Sequence, residues 1–145
     1  MKALKYIIIV LALGYPLSPR AGVWGPYKLI NPTVVDGDTF KGMFQVFEGV
    51  WIHKSIRVRN VDTPETKSRL ACERASAAKA SNFLGNTLVN STVEIKNIED
   101  DKYSGRVDAD VLVNGKDLAT AIVQSGNGRY YDGKKREPWC KDISL

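Results

Sequence analysis

From Pro26 to Val61 the pattern of apolar and polar positions is strand-like. Thr33, Val34 and Val35 lead into Asp36-Gly37-Asp38, Thr39 to Phe47 forms the next run, Glu48-Gly49 breaks it, and Val50 to Val61 resumes it. In that last run Ile52, Ile56 and Val58 alternate with His53, Ser55, Arg57 and Arg59, so one face packs and the other is free to act. Between Leu70 and Val89 the period changes. Ala77, Ala80, Leu84 and Leu88 recur at spacings of three and four, which predicts the one long helix, packed closely through its alanines. Thr92 to Ile98 alternates again, Glu99-Asp100-Asp101 is a charged turn, and Arg106 to Val113 reads as a strand closed by Asn114-Gly115. Leu118 to Val123 predicts a short helix ending near Gly126.

Three strands, a helix, two strands and a helix is the order of a mainly β OB-fold, a five-stranded Greek-key barrel with two or three helices. The chain of 145 residues has room for one such domain. Its charged fraction of 26% and hydrophobic fraction of 43% are those of an ordinary globular protein, so disorder is not the expectation.

The first residues change the domain boundary. Lys2 and Lys5 precede the apolar run Tyr6 to Leu13, then come Gly14, Pro16, Ser18, Pro19 and Ala21, the order of a secretory signal. We expect a leader over 1–21 and a folded domain over 22–145, with the cleavage position open between the regions of Gly14 and Ala21. The mature protein is then exported, periplasmic or extracellular, with no stable membrane association, and a monomer. Lys2, Lys5 and Arg20 supply three of the 21 basic residues while none of the 16 acidic ones precedes residue 22, so the remainder carries only +2. That is too weak to argue nucleic-acid binding from net charge; any attraction must come from local clusters such as Lys134, Lys135 and Arg136.

The single histidine, His53, excludes chemistry that needs paired histidines, and two cysteines are too few for an all-cysteine zinc site. No nucleophile elbow, P-loop or paired-histidine zinc motif occurs. Carboxylates, arginines and a hard cation remain. Asp36-Gly37-Asp38-Thr39 puts two carboxylates at i and i+2; its later positions rule out an EF-hand, since Lys41 stands at the sixth and Phe47 at the twelfth. Asp62-Thr63-Pro64-Glu65 follows the strand carrying Arg57, and Asp101-Lys102-Tyr103-Ser104-Gly105-Arg106 delivers a cation at a strand start. Taken singly, each segment has a plain structural reading. D-G-D is a common turn, D-T-P-E a helix start with Asp62 or Thr63 near the cap and Pro64 in the first turn, and the third segment a hairpin connection.

Together, in this order over residues near 33 to 131, the three segments resemble the signatures of the staphylococcal nuclease family. The resemblance implies calcium held by the Asp38 and Asp62 carboxylates and the Thr63 carbonyl, with Asp36 behind them. It implies Arg57 and Arg106 on the scissile phosphate and Glu65 as the group that orients or deprotonates the attacking water. Hydrolysis of DNA or RNA with loss of the 5′-oxygen would leave 3′-phosphate ends, in an endonuclease. Lys102, Tyr103, Tyr130 and Tyr131 are the expected substrate contacts. Two departures stand out: Ser104 lengthens the turn before Gly105-Arg106, and little chain follows Gly133, leaving no room for the staphylococcal enzyme's long last helix. The main alternative is a non-catalytic OB-fold module that binds single-stranded nucleic acid, like the degenerate repeats of the Tudor staphylococcal nuclease proteins, which usually lack these acidic and arginine residues.

A disulfide between Cys72 and Cys140 is expected on separate grounds: an exported chain meets an oxidising environment, two cysteines make one pair, and neither lies in a motif. The bond would tie the tail to the start of the long helix.

Overall fold

The computed structural model describes residues 25–103 and 105–140. The expected leader and Ser104 lie outside the described residues. Strand β1 (Tyr27–Val34) pairs antiparallel with β2 (Thr39–Phe47), which pairs with β3 (Val50–Val58). After helix α1 (Ala71–Leu88), β5 (Val93–Asp100) pairs with β1 and with β6 (Arg106–Val113). The parallel pairing of β6 with β3 closes the ring, giving a barrel of β1, β2, β3, β5 and β6, the OB-fold expected from the pattern. Two-residue strands β4 (Val61–Asp62) and β8 (Arg129–Tyr130) form a separate ladder, and α2 (Leu118–Gln124) follows the short β7 (Lys116–Asp117).

The alternation in the sequence is the alternation of burial. Along β6, Val107, Ala109, Val111 and Val113 are buried while the residues between them are half-exposed. Ile56 and Val58 of β3 join Phe40, Phe44, Val93 and Ile95 in the same core. Burying side chains of this kind contributes roughly 1.5–3 kcal/mol each, which is why the period of two dictates the barrel. Asn114 and Gly115, both with positive φ, make the tight turn from β6 to β7 that the dipeptide predicts. On α1 the buried residues are Ala77, Ala80, Leu84 and Leu88, the expected face.

The D-T-P-E segment is not the helix start of the plain reading. α1 begins at Ala71, with Leu70 at its N-cap and no side-chain cap. Asp62 is instead drawn into β4, and the loop from Thr63 to Leu70 is fastened back onto the helix by Glu73. One Glu73 carboxylate oxygen accepts the Glu65 backbone N–H at 3.1 Å and the other accepts the Ser68 hydroxyl at 2.6 Å. No helix among the described residues is long and apolar enough to cross a membrane.

Candidate functional site

One end of the barrel carries a cleft of about 770 Å³ lined by the three motif segments and the tail: Asp36, Asp38, Arg57, Thr63, Pro64, Glu65, Asp101, Lys102, Tyr103, Arg106, Asp108, Tyr131, Gly133 and Arg136. The barrel closure explains the convergence. In the parallel β3–β6 ladder Ser55 lies opposite Arg106 and Arg57 opposite Asp108, and in the β2–β3 ladder Arg57 lies opposite Thr39. Residues two apart on a strand share a face, so Arg57, Arg106 and Asp108 meet beside the turn that precedes Thr39.

That turn is pinned. The Val35 and Asp36 N–H groups donate to the Thr39 carbonyl at 2.9 and 3.1 Å, and the Asp38 N–H donates to Asp36 Oδ1 at 3.2 Å. Gly37 is required by proximity: a Cβ there would lie 2.6 Å from the Ala80 Cβ and 2.8 Å from Thr63 Oγ1. The glycine thus lets the acidic turn press against both α1 and the Thr63-Pro64 corner. Burial, with the Asp38 charge second, pushes the Asp36 carboxyl up to about 6.

Arg57 joins two of the segments. Its Nη1 lies 2.9 Å from Asp38 Oδ2 and its Nη2 donates to the Val61 carbonyl at 3.2 Å, with the side chain only 14% exposed. Burial opposes its charge, but the Asp38 carboxylate outweighs that and raises its pKa. Arg106 is held by Nε against Asp101 Oδ2, and its guanidinium lies 4.8 Å from the Tyr103 ring centre. Burial pushes Asp101 up, yet the bonds from Arg106 and the Tyr103 N–H hold it below the ordinary carboxylate range. Lys102 also lies over Tyr103, at 5.2 Å.

Asp62 is fully buried beneath this cleft. It lies opposite Arg129 across the β4–β8 ladder, and Arg129 Nη2 reaches its Oδ2 at 3.2 Å. Arg136 approaches from the tail: its Nε lies 2.9 Å from Asp62 Oδ1, and its Nη1 contacts Glu65 Oε1. The Asp62 contact has the distance of an ion pair but not the alignment of a hydrogen bond, so among the described residues Oδ1 has no donor aimed at it. The tail is fixed by the expected disulfide: Cys72 and Cys140 are bonded, with Cα atoms 6.4 Å apart. Trp139 stacks on Arg129 at 4.1 Å.

Of the expected site residues, Asp36, Asp38, Thr63, Arg57, Glu65, Arg106, Lys102, Tyr103 and Tyr131 line one cleft, with Asp62 beneath it. Tyr130 is not among the lining residues; it is 63% exposed, with its hydroxyl 3.5 Å from Thr120 Oγ1. Tyr130 closes β8 and Tyr131 follows it, and of the two only Tyr131 lines the cleft. Arg59, expected on the same strand and face as Arg57, falls one residue beyond β3. It binds the β5–β6 side instead, donating to the Asn97 carbonyl at 2.7 Å and pairing with Asp110 at 3.3 Å. Sequence reasoning missed Arg129, Arg136 and Asp108 as site residues. Asp108 lines the cleft with a buried Oδ1 that has no hydrogen-bond partner among the described residues, its pKa raised by burial and then by Asp101. Its place two residues after Arg106 was the available signal.

No curated protein matches the chain. A family model does, that of the staphylococcal nuclease homologues, over residues 55–142. The matched span contains Arg57, the D-T-P-E segment, Arg106 and both cysteines, while the D-G-D turn precedes it and rests on its own motif and geometry. With more than half of its length matched and a closed five-stranded barrel carrying two helices, the chain belongs to the family of staphylococcal nuclease homologues.

Proposed function

We propose that the protein is a calcium-dependent endonuclease that hydrolyses phosphodiester bonds of DNA, RNA or both and leaves 3′-phosphate ends. The observation that carries this reading is the meeting, in one cleft, of Arg57 and Arg106 with Asp38, Thr63 and Glu65. A module that only binds single strands would have no use for the Asp38 and Glu65 carboxylates in one cleft with two arginines.

The residues present fit a hard cation. Asp62 Oδ1 is a buried carboxylate oxygen with no aligned donor among the described residues, and burial first, then the Asp38 charge, push the Asp36 carboxyl up to about 6, so that a cation beside the pair would favour their ionised forms. Among the described residues no group of three or more His, Cys, Asp or Glu side chains converges on one point. The candidate holders are the ones the family resemblance implies, the Asp38 and Asp62 carboxylates and the Thr63 carbonyl, an all-oxygen set that water and a phosphate oxygen would complete. Bound there, calcium would supply Lewis-acid stabilisation of charge on the phosphoryl oxygens.

The chain's own groups do the rest. Arg57 and Arg106 bracket the phosphate and offset the charge that builds on its oxygens in the transition state. Glu65 orients the water and takes its proton; the water oxygen bonds to phosphorus as the bond to the 5′-oxygen breaks. Lys102, Tyr103 and Tyr131 stand where a neighbouring phosphate and base would lie. The proposed setting is outside the cytoplasm, in periplasm or medium, as a monomeric domain over 22–145 released from a leader over 1–21; the order of charged, apolar and small residues and the disulfide support it.

The product ends test the direction of attack. A 5′-labelled oligonucleotide digested with calcium should give fragments whose mobility shifts on phosphatase treatment, the mark of a 3′-phosphate. Fragments indifferent to phosphatase, with free 3′-hydroxyls, would contradict the proposed expulsion of the 5′-oxygen.

A further inference from the structure

Two arginines reach Asp62, and they are built differently. Arg129 lies directly across the β4–β8 ladder, and its other partners are all protein: the Glu137 and Pro138 carbonyls and the Trp139 ring. Its place is determined on every side. Arg136 has a side chain 41% exposed, touches Asp62 Oδ1 without hydrogen-bond alignment, and reaches Glu65 as well. Burial works against its charge, but Glu65 first and then Asp62 raise its pKa, with Asp38 adding to the effect. A single monovalent group thus bridges Glu65 of the cleft to the buried Asp62 beneath it.

A fully buried carboxylate needs a counter-charge, since an uncompensated one is strongly destabilising. We propose that Arg136 is a displaceable internal counter-cation that occupies the cation's place in the metal-free protein, while Arg129 is the positioning residue that keeps Asp62 Oδ1 turned toward the cleft. The inference rests on the calcium reading and deepens it. Arg129 holds Oδ2 and leaves Oδ1 for the cation, and entry of the cation opens the contact between Arg136 Nε and Oδ1. The tail itself need not move. It is anchored at one end by the Cys72–Cys140 bond and at the other by the Tyr131 N–H, which donates to the Asn60 carbonyl at 3.0 Å. Only the Arg136 side chain has to swing, and its exposure gives it room.

Competition of this kind has a signature that simple charge removal lacks. Arg136→Gln, Arg129→Gln and Lys135→Gln each delete one positive charge from the same region, so Coulomb attraction alone would tighten calcium binding in all three. Calorimetric titration of calcium into the oxidised whole protein should instead give opposite signs: Arg136→Gln tighter by about tenfold, Arg129→Gln weaker by about tenfold, and Lys135→Gln within about twofold of the parent. Unchanged or weaker binding in Arg136→Gln, or tightening shared by Arg136→Gln and Arg129→Gln, would overturn the proposal. Should Arg129→Gln fail to fold, the comparison of Arg136→Gln with Lys135→Gln decides, equal affinities overturning it. Absence of calcium binding in every variant and in the parent would remove the metal reading and this inference together, an outcome distinct from binding with unaltered affinity.

Discussion

Arg106→Lys, Arg57→Lys and Glu65→Ala are each expected to lower turnover of a nucleic-acid substrate by about 10²- to 10⁴-fold. Lys carries the charge of Arg but not its planar fork, so it cannot hold a phosphate and its own carboxylate partner at once. Arg106 already uses Nε on Asp101, leaving its two terminal nitrogens for the phosphate. The two arginines differ in what else they support. Arg57 bridges Asp38 to the Val61 carbonyl, so Arg57→Lys should also loosen the join between the first two acidic segments and lower the melting temperature, whereas Arg106→Lys should leave it near that of the parent. Arg59→Lys is the control. Arg59 lies outside the cleft among Asn97, Asp108 and Asp110, so its replacement should lower stability by about 1 kcal/mol and leave turnover well below the melting temperature almost unchanged. Turnover as poor in Arg59→Lys as in Arg57→Lys would mean that the wrong arginine has been assigned to the phosphate.

The second large effect concerns the tail. Cys140→Ser should destabilise the protein by roughly 4 kcal/mol, the chain-entropy value for cross-linking residues 68 apart. For a domain of this size that corresponds to a drop in melting temperature of roughly 10–15 °C. Cys72→Ser should do the same, and the double variant no more, because the two cysteines make one bond. Thermal unfolding followed by circular dichroism with and without reductant measures it. If reductant left the parent's melting curve unmoved, the bond would not be holding the tail, and the contacts of Arg129 with Trp139 and the Glu137 and Pro138 carbonyls, with those of Arg136, would have to do so.

The parts of this molecule that were legible in its sequence are those governed by a repeating period or a short motif. β3, β6 and α1 announce themselves because Ile56 and Val58, Val107 to Val113, and Ala77 to Leu88 repeat at the spacing of the element they form. The D-G-D turn was legible as chemistry, though not the reason for its glycine, which lies in the approach to Ala80 and Thr63. What was not legible depends on contacts between residues far apart in elements too short to have a period. β4 and β8 hold two residues each, so nothing in the local pattern says that Asp62 will face Arg129. Pro64 and Glu65 look like the first turn of a helix until Glu73 is seen to take the loop's own N–H and hydroxyl donors. Arg136 reads as one charge of the local basic cluster Lys134-Lys135-Arg136, and only the disulfide and the fold of the tail bring it to Glu65 and Asp62. The pairing of the cysteines, by contrast, needed only their count, their place outside the motifs and the expectation of an oxidising compartment.

The most direct measurement is a digest of single-stranded DNA, duplex DNA and RNA by the oxidised protein, run with calcium, with zinc alone and with excess chelator. Cleavage of at least one of the three substrates is expected with calcium, and its loss with chelator and with zinc alone, because the described lining of the cleft includes carboxylates but no histidine or cysteine. Full activity in chelator, or with zinc alone, would contradict the metal assignment, and binding of nucleic acid without cleavage under every condition would contradict the assignment as a nuclease.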